Sequence, residues 1–219
     1  MRSWSVLLLR SLALLGLLFL PAWTRSGAGM QFAWPALRED GPYVLWEGKE
    51  ARVLRIRDGR LEQERLLPPY LLSLPGLAAE PLRLNPAPPP PSRAEFPQPE
   101  RILAVSDVHG AFHPLVALLK AQGVVDGDLH WTFGRGHLVV VGDVFDRNDM
   151  VTEALWLLRA LEKPAERAGG AVHLVLGNHE AMVLRGDLRY LHPKYQALAN
   201  LDGAAPIPRL FGPDSPQAI

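Results

Sequence analysis

Two different patterns of hydrophobic and polar positions divide the chain. Over residues 40–66, DGPYVLWEGKEARVLRIRDGRLEQERL, apolar side chains alternate loosely with polar ones, and a period of two indicates a half-buried β-strand. Gly48 and the pair Asp58-Gly59 interrupt the alternation, and such residues are typical of tight turns. We therefore expect two or three short antiparallel strands here, which form a small structural β-unit.

From residue 100 onward, continuous apolar runs alternate with amphipathic segments. The runs lie at residues 102–105, 138–141 and 171–176. Each run predicts a buried strand. Between them, apolar residues recur at helical spacing over 114–122 and 149–162, and Pro164 is expected to end the second helix. This alternation predicts an α/β fold with a largely parallel sheet that helices cover on both faces.

The N-terminus has the pattern of a targeting segment. Arg2 and Arg10 flank a run that becomes purely apolar over 12–20, and the small residues 26–28 follow. Basic, apolar and small residues in this order are typical of a secretory signal peptide. An uncleaved membrane anchor is the alternative, although Arg10 would be costly in lipid. In both cases we expect the remainder to work outside the cytoplasm, in the periplasm or secreted, with any membrane contact through this segment alone.

A proline-rich segment, residues 85–99, separates the two patterned regions. Proline fixes φ and lacks an amide hydrogen, so this segment is expected to be an extended linker. The predicted organisation is a signal peptide or anchor at 1–28, a small β-rich extension at 29–84, the linker at 85–99, and an α/β domain at 100–219.

Composition excludes several kinds of function. The 219 residues are 48% hydrophobic and 21% charged, with a formal net charge of zero. We find no basic stripe of the kind that binds nucleic acid and expect no nucleic-acid partner. The sequence contains no cysteine, which excludes disulfides, a thiol nucleophile and cysteine-based metal sites. A metal would therefore be bound by His, Asp, Glu or Asn side chains.

Each of the three predicted parallel strands is followed by a polar loop. In chain order the loops are SDVHG at 106–110, GDVFDR at 142–147 and GNHE at 177–180. Binding sites of open α/β sheets form beyond the carboxyl ends of the strands. We therefore expect the three loops to meet and to form one site.

The loops carry the side chains of a two-metal site. Asp107 and His109 are two residues apart, and alternate side chains point the same way while a strand remains extended, so both can bind one cation. Asp143 has two carboxylate oxygens and can bridge two cations, and Asn178 offers an amide oxygen to the second. Two cations about 3.5–4 Å apart can clamp a phosphate and lower the pKa of a shared water.

Three further side chains of these loops suit catalysis. His179 is adjacent to Asn178 and points elsewhere, which suits proton donation to a leaving oxygen. Asp146 would orient that imidazole, and Arg147 offers a planar fork to phosphate oxygens. In isolation, Asp146 and Arg147 would be interpreted as a structural ion pair.

In chain order, the loops resemble the D-x-H-G, G-D-x-x-D-R and G-N-H-E motifs of the calcineurin-like metallophosphoesterase superfamily, and its phosphoprotein phosphatase branch in particular. The stretches WTFGRGHLVVVGDVFDR and GNHEAMVLRGDLRYLHPKY, and the β-unit before them, look like those of bacterial Shewanella-like protein phosphatases. The resemblance covers about residues 40–195. It implies a mixed β-sandwich flanked by helices, whose second half is largely missing from this chain, plus the small N-terminal antiparallel β-unit.

The same resemblance implies roles for individual residues. It implies four metal ligands: Asp107, His109, Asp143, which bridges, and Asn178. His179 would be the general acid, paired with Asp146, and Arg147 and Asn178 would contact the substrate phosphate. The cofactors would be two divalent ions of manganese, iron or zinc, and metal-bound hydroxide would attack the phosphorus. The substrate would be a phosphoprotein, with phosphate on Ser, Thr or Tyr, or another phosphomonoester.

The chain also departs from the family pattern. That pattern has two more histidines downstream of G-N-H-E, both on the second metal, whereas here only His192 follows His179 and it lies outside any such motif. The second metal site is therefore expected to be incomplete, and the chain to be a fragment of a longer enzyme. The alternatives are a non-catalytic metal- or phosphate-binding remnant and a dinucleoside-polyphosphate hydrolase.

Overall fold

The structure, a computed structural model, describes residues 38–87 and 95–199. Its elements in chain order are β1 (Asp40–Glu47), β2 (Glu50–Arg57), β3 (Arg60–Leu66), β4 (Leu71–Leu72), β5 (Leu82–Arg83), β6 (Ile102–Val105), α1 (Phe112–Ala121), β7 (His137–Val141), α2 (Val151–Arg167), β8 (Ala171–Val175), α3 (Asn178–Leu184) and α4 (Pro193–Ala199). The predicted signal peptide and the centre of the proline-rich segment lie outside the described residues. No helix of the described ranges is long and apolar enough to cross a membrane.

The predicted β-unit is an antiparallel meander. β2 pairs with β1 along one edge and with β3 along the other. The chain reverses at 48–49 and at 58–59, where the sequence predicts turns, and Asp58 and Gly59 have the left-handed φ values of 49° and 74° that a tight hairpin requires. The expectation of two or three short antiparallel strands is therefore confirmed, and the short pair β4-β5 follows them.

The meander packs against α2. Trp156 of α2 is buried in a cluster with Val44 and Val53 of the meander. Its indole N–H donates a hydrogen bond of 2.8 Å to the carbonyl of Pro42. Burial of a large aromatic side chain whose polar atom also finds a partner is strongly stabilising. The extension is thus part of the same packed structure as the helix that follows β7.

Three parallel strands form the second sheet, in the order β6-β7-β8. Right-handed crossovers between consecutive strands place α1 and α2 on the same face, and Leu138 and Val140 of β7 are fully buried with these helices in the main core. On the opposite face Ile102, Val141 and Val175 are 62%, 48% and 49% exposed. The prediction of a parallel sheet is confirmed, but within the described ranges helices cover only one face.

Both helix boundaries differ from the predicted ones. α1 begins at Phe112, two residues early, because Phe112 is itself buried in the core and Pro114 fits the first turn, where its missing N–H has no partner to lose. α2 continues through Pro164 to Arg167, so the predicted stop is wrong. Only three helical residues follow Pro164, and one of them, Ala165, is fully buried.

A buried polar cluster joins α4 to β1 and to the start of α2. The ammonium of Lys194 lies 3.1 Å from Asp40 Oδ1, 3.8 Å from Glu153 Oε1 and 2.5 Å from the carbonyl of Asp149. The hydroxyl of Tyr195 accepts the N–H of Val151 at 2.8 Å, which satisfies the first free amide of α2. Local sequence patterns do not predict this cluster, since charged residues are rarely buried unless they are paired.

Replacing Lys194 with methionine is expected to lower the free energy of unfolding by about 3–5 kcal/mol, because Asp40 would stay buried, and Glu153 partly buried, without their cation. Urea denaturation followed by tryptophan fluorescence measures this change. Lys163→Met is the matched control, because Lys163 is exposed on α2 and pairs with Glu166 at the surface. If both variants lost the same stability, the buried cluster would not have the assigned importance.

Candidate active site

The three polar loops converge at the carboxyl ends of β6, β7 and β8. The N–H groups of His109 and Gly110 donate hydrogen bonds to the carbonyls of Asp143 and Val144, both at 2.8 Å, and so join the first loop to the second. The second and third loops also touch, because Glu180 of the third accepts the N–H of Val144 at 2.7 Å. The structure therefore brings the three sequence motifs into one place.

Two imidazoles and one carboxylate lie at the centre of the site where the three loops converge. His109, Asp143 and His179 each offer a ligand atom, and these atoms all lie within 4.8 Å of one another. The two imidazole rings are 4.5 Å apart between centroids, and the Asp143 carboxylate accepts the N–H of His179 at 3.0 Å. Nitrogen and oxygen donors this close together suit a divalent transition-metal ion.

Asp107 lies at the exposed rim of the same group. Its Oδ1 is 3.7 Å from Nε2 of His109, and its carboxyl is close enough to that of Asp143 to influence the pKa of Asp143. However, Asp107 and His109 have φ values of 53° and 46°, so the expectation of an extended strand at this point is wrong. The two side chains meet because the loop turns through left-handed conformations that hydrogen bonds to the neighbouring loop hold in place.

Asp143 is suited to remain ionised at neutral pH. Partial burial acts to raise its pKa, but the N–H of His179, the hydrogen bond with Asp107 and the charges of both histidines outweigh burial and hold the pKa of Asp143 below its ordinary value. Two carboxyl groups this close repel each other when both are ionised, and a bound cation relieves that repulsion. The donor set of this structure therefore fits a divalent metal ion.

His179 is oriented by a buried carboxylate. Its Nδ1 lies 2.7 Å from Oδ2 of Asp146, and Asp146 is 0% exposed. The other oxygen of Asp146 has no hydrogen-bond partner among the described residues. The bond to Asp146 fixes the orientation of the imidazole, with Nδ1–H donating to the carboxylate. Both ring nitrogens carry protons in the imidazolium form, and in that form Nε2 of His179 can donate to a ligand.

Arg147 and Asn178 belong to the converging loops, but their side chains do not join the central group. Both are exposed, and Asn178 is the first residue of α3. Neither side chain makes a hydrogen bond or an ion pair with a residue in the described part of the chain. Their predicted roles as phosphate contacts, and that of Asn178 as a metal ligand, stay predictions.

Glu180 organises the site and was given no role in the sequence analysis. It is 4% exposed. Its Oε2 accepts the N–H groups of Asp143 and Gly177 at 2.8 and 2.7 Å, and its Oε1 accepts those of Val144 and Phe145 at 2.7 and 3.0 Å. One carboxylate thus ties the loop after β7 to the loop after β8. A glutamate at the third position of a helix is half of a capping box, and that signal could have found it.

The backbone of the site is unusually strained. Five non-glycine residues of the first two loops have positive φ: Asp107 at 53°, His109 at 46°, Asp143 at 54°, Asp146 at 72° and Arg147 at 69°. Such conformations are uncommon for residues with a side chain. They cluster at functional sites, where the surrounding structure fixes them.

Two glycines allow the second and third loops to approach closely. A Cβ atom on Gly177 would lie 2.2 Å from Oδ1 of Asp143, and one on Gly142 would lie 2.4 Å from the Cα of Gly177. The Cβ on Gly177 would also lie 2.6 Å from the backbone nitrogen of Asp143, so both substitutions meet backbone atoms and neither can be accommodated cheaply. Gly142 also has a φ of 72°, a conformation that glycine adopts without steric cost.

Gly177→Ala is expected to displace the Asp143 carboxylate and to weaken Mn²⁺ binding by about 10–100-fold, the range seen when the supports of metal ligands are removed. Isothermal titration calorimetry measures the affinity. Gly127→Ala is the control, because a Cβ there would meet nothing within 4 Å. Equal affinities in the two variants would show that the close approach does not position Asp143.

Comparisons with known proteins point to one family. The sequence profile of the calcineurin-like phosphoesterases matches residues 100–213, just over half of the chain. Shewanella-like protein phosphatase 2 of Arabidopsis thaliana is 39% identical over 102 residues, which cover 47% of this chain and 26% of the relative. Shewanella-like protein phosphatase 1 of Plasmodium berghei is 33% identical over 94 residues, which cover 43% of this chain and 26% of the relative.

A solved structure agrees with these relatives. A cold-active protein-tyrosine phosphatase of a psychrophilic Shewanella species superposes with a TM-score of 0.66 and 35% sequence identity. The match covers 81% of this chain and 54% of that one. The chain thus spans about half of this solved structure and about a quarter of the two curated relatives.

Proposed function

Because the chain belongs to the calcineurin-like phosphoesterase family, we propose that it is a metal-dependent phosphomonoester hydrolase that acts on phosphoproteins. The observation that carries this proposal is the convergence of His109, Asp143 and His179, with Asp107 at the rim. A donor set of this kind at the carboxyl ends of parallel strands is where an α/β enzyme places its chemistry.

The loops would hold two divalent ions. Asp107, His109 and Asp143 would bind the first ion, and Asp143 and Asn178 would supply ligands to the second. Manganese, iron and zinc all suit such nitrogen and oxygen donors. The ions would activate water at neutral pH and neutralise the charge of the phosphate.

The chain's own residues would bind the phosphate and move one proton. The exposed guanidinium of Arg147 and the amide of Asn178 would hold the phosphate oxygens. In hydrolysis a water oxygen would bond to phosphorus and release one proton to solvent, and the bond from phosphorus to the leaving oxygen would break. The leaving oxygen would take the proton of His179 Nε2, which solvent then replaces. Asp146 would orient the imidazolium that makes this transfer by accepting the proton of its Nδ1.

The relatives suggest the class of substrate. Two are named protein phosphatases, and the solved structure is named a protein-tyrosine phosphatase. We therefore propose phosphoproteins as substrates, with phosphotyrosine among the accepted residues. A thiol-based mechanism is excluded, since the sequence has no cysteine.

The proposal is tested by the turnover of p-nitrophenyl phosphate and of phosphopeptides by the purified chain, with Mn²⁺ and with a chelator. We expect turnover that requires Mn²⁺. In His179→Gln we expect Mn²⁺ affinity to be retained and turnover to fall, more steeply for alkyl phosphates, because a poor leaving group needs the proton most. Loss of Mn²⁺ affinity in His179→Gln would indicate that His179 is a metal ligand and not the proton donor. Mn²⁺ binding without turnover by the wild type would favour a non-catalytic metal-binding protein.

We also propose that residues 1–28 direct export. The support is the order of basic, apolar and small residues in that segment. Sequencing of the mature N-terminus tests the proposal: a start after Ala22 or Ala28 indicates cleavage, whereas an intact N-terminus in the membrane fraction indicates an anchor. Full-length protein confined to the cytosol would contradict both.

A further inference from the structure

Tyr190 lies at the open side of the proposed site. Its ring centroid is 5.4 Å from that of His179, at an interplanar angle of 50°, and the residue is 48% exposed. The hydroxyl makes no hydrogen bond to any residue in the described ranges. A large aromatic side chain that stays half in water beside a buried histidine is available to contact a ligand.

The main chain of Tyr190 also contacts the loop that carries Arg147, a proposed phosphate contact. Its carbonyl accepts the N–H of Arg147 at 3.0 Å. The next residue, Leu191, is buried in the main core and donates its N–H to the carbonyl of Leu188 at 3.1 Å. The backbone at Tyr190 is therefore held on both sides, and replacing the side chain would leave the carbonyl contact in place.

The position of the proton donor determines where the rest of the substrate lies. A leaving oxygen must come within hydrogen-bond distance of Nε2 of His179, so the group attached to that oxygen lies beside this imidazole. The buried ring of His109 occupies one neighbouring position, with its centroid 4.5 Å from that of His179. Tyr190, on the exposed side, is the surface that the leaving group would meet.

We propose that Tyr190 is a specificity-determining residue that favours aryl phosphates, and phosphotyrosine in proteins above all, over phosphoserine and phosphothreonine. The inference rests on the proposed function, because it assumes that His179 protonates the leaving oxygen. An aromatic leaving group would pack against the Tyr190 ring in an offset or edge-on arrangement. The short aliphatic linkage of phosphoserine offers no ring for that contact.

The test compares kcat/KM for two peptides of one sequence, phosphorylated on tyrosine or on serine, with Mn²⁺. In Tyr190→Ala we expect the ratio of kcat/KM for the tyrosine peptide to that for the serine peptide to fall about 3–10-fold, as aromatic pairs allow. The change should lie mainly in KM for the phosphotyrosine peptide. Tyr190→Phe keeps the ring and should keep the ratio.

Phe96→Ala is the matched control. Phe96 is a half-exposed aromatic residue (43%) that also packs edge-on against histidine rings, those of His137 and His173. It contacts none of the proposed site residues, so the substrate ratio should not change. If the ratio of kcat/KM values fell in both Tyr190→Ala and Phe96→Ala, it would respond to a general loss of packing. That result would overturn the assignment of Tyr190 as a specificity-determining residue.

Two further outcomes count against the inference in different ways. If Tyr190→Ala hydrolyses both peptides with the wild-type ratio, or slows both equally, Tyr190 does not select the substrate, while the proposed function stands. If the wild-type chain hydrolyses neither peptide nor p-nitrophenyl phosphate with Mn²⁺, the proposed function fails and the inference fails with it.

Discussion

Glu180→Gln is expected to lower the free energy of unfolding by about 2–6 kcal/mol, because a buried donor left without a partner costs about 1–3 kcal/mol and two of them are affected. The carboxylate accepts four backbone N–H groups through its two oxygens. Glutamine keeps one side-chain oxygen, which can still accept two of these N–H groups. Its NH₂ group would face the other two, which would then have no acceptor. A loss of this size is a large part of the roughly 5–15 kcal/mol that stabilises a typical domain.

Urea denaturation measures the stability change, and Mn²⁺ titration of the folded variant reports on the loops. The affinity should fall as well, since Glu180 holds the N–H of Asp143 and that of Gly177. Glu166→Gln is the matched control, because Glu166 is an exposed glutamate on α2. If Glu180→Gln unfolded at the same urea concentration as this control, the carboxylate would not be what joins the two loops.

Asp143→Asn is expected to abolish most Mn²⁺-dependent turnover, by at least about 100-fold, because the proposed bridging ligand loses its charge. The substitution should leave the fold intact. Asparagine adopts left-handed backbone readily, so the φ of 54° at this position is retained. The amide oxygen can still accept the N–H of His179, which the carboxylate accepts at 3.0 Å.

Steady-state assays with p-nitrophenyl phosphate, together with Mn²⁺ titration, measure this effect. Asp128→Asn removes the same charge from an exposed loop and should behave as the wild type does. Retained turnover in Asp143→Asn would mean that the site lies elsewhere. A variant that binds Mn²⁺ with unchanged affinity but turns over slowly would restrict Asp143 to a role in the reaction itself.

Much of the fold follows from local patterns in the sequence. The strands of the parallel sheet begin and end within a residue of the expected positions, and the turns of the meander lie where they were expected, because alternation and apolar runs reflect burial directly. The polar loops were recognised because each follows an apolar run, and parallel strands place their carboxyl ends at one edge.

The errors came from interactions between segments distant in the sequence. Pro164 marks the end of a helix by local rules, yet the burial of Ala165 extends α2. The local sequence around Asp40 and around Glu153 does not indicate that Lys194 pairs with both carboxylates. Glu180 was overlooked for a similar reason, because three of the four N–H groups that it accepts belong to another loop.

The link between Lys194, Asp40 and the start of α2 has a practical consequence for trimming the protein. A shortened version that begins after the proline-rich segment would strip away the partners of Trp156 and leave the ammonium of Lys194 without Asp40. The damage would reach the turn that precedes α2, where Asp149 accepts from both Lys194 and Tyr195. That turn directly follows Asp146 and Arg147, so the N-terminal meander supports the loop that carries these two proposed site residues and should be kept in any minimal version.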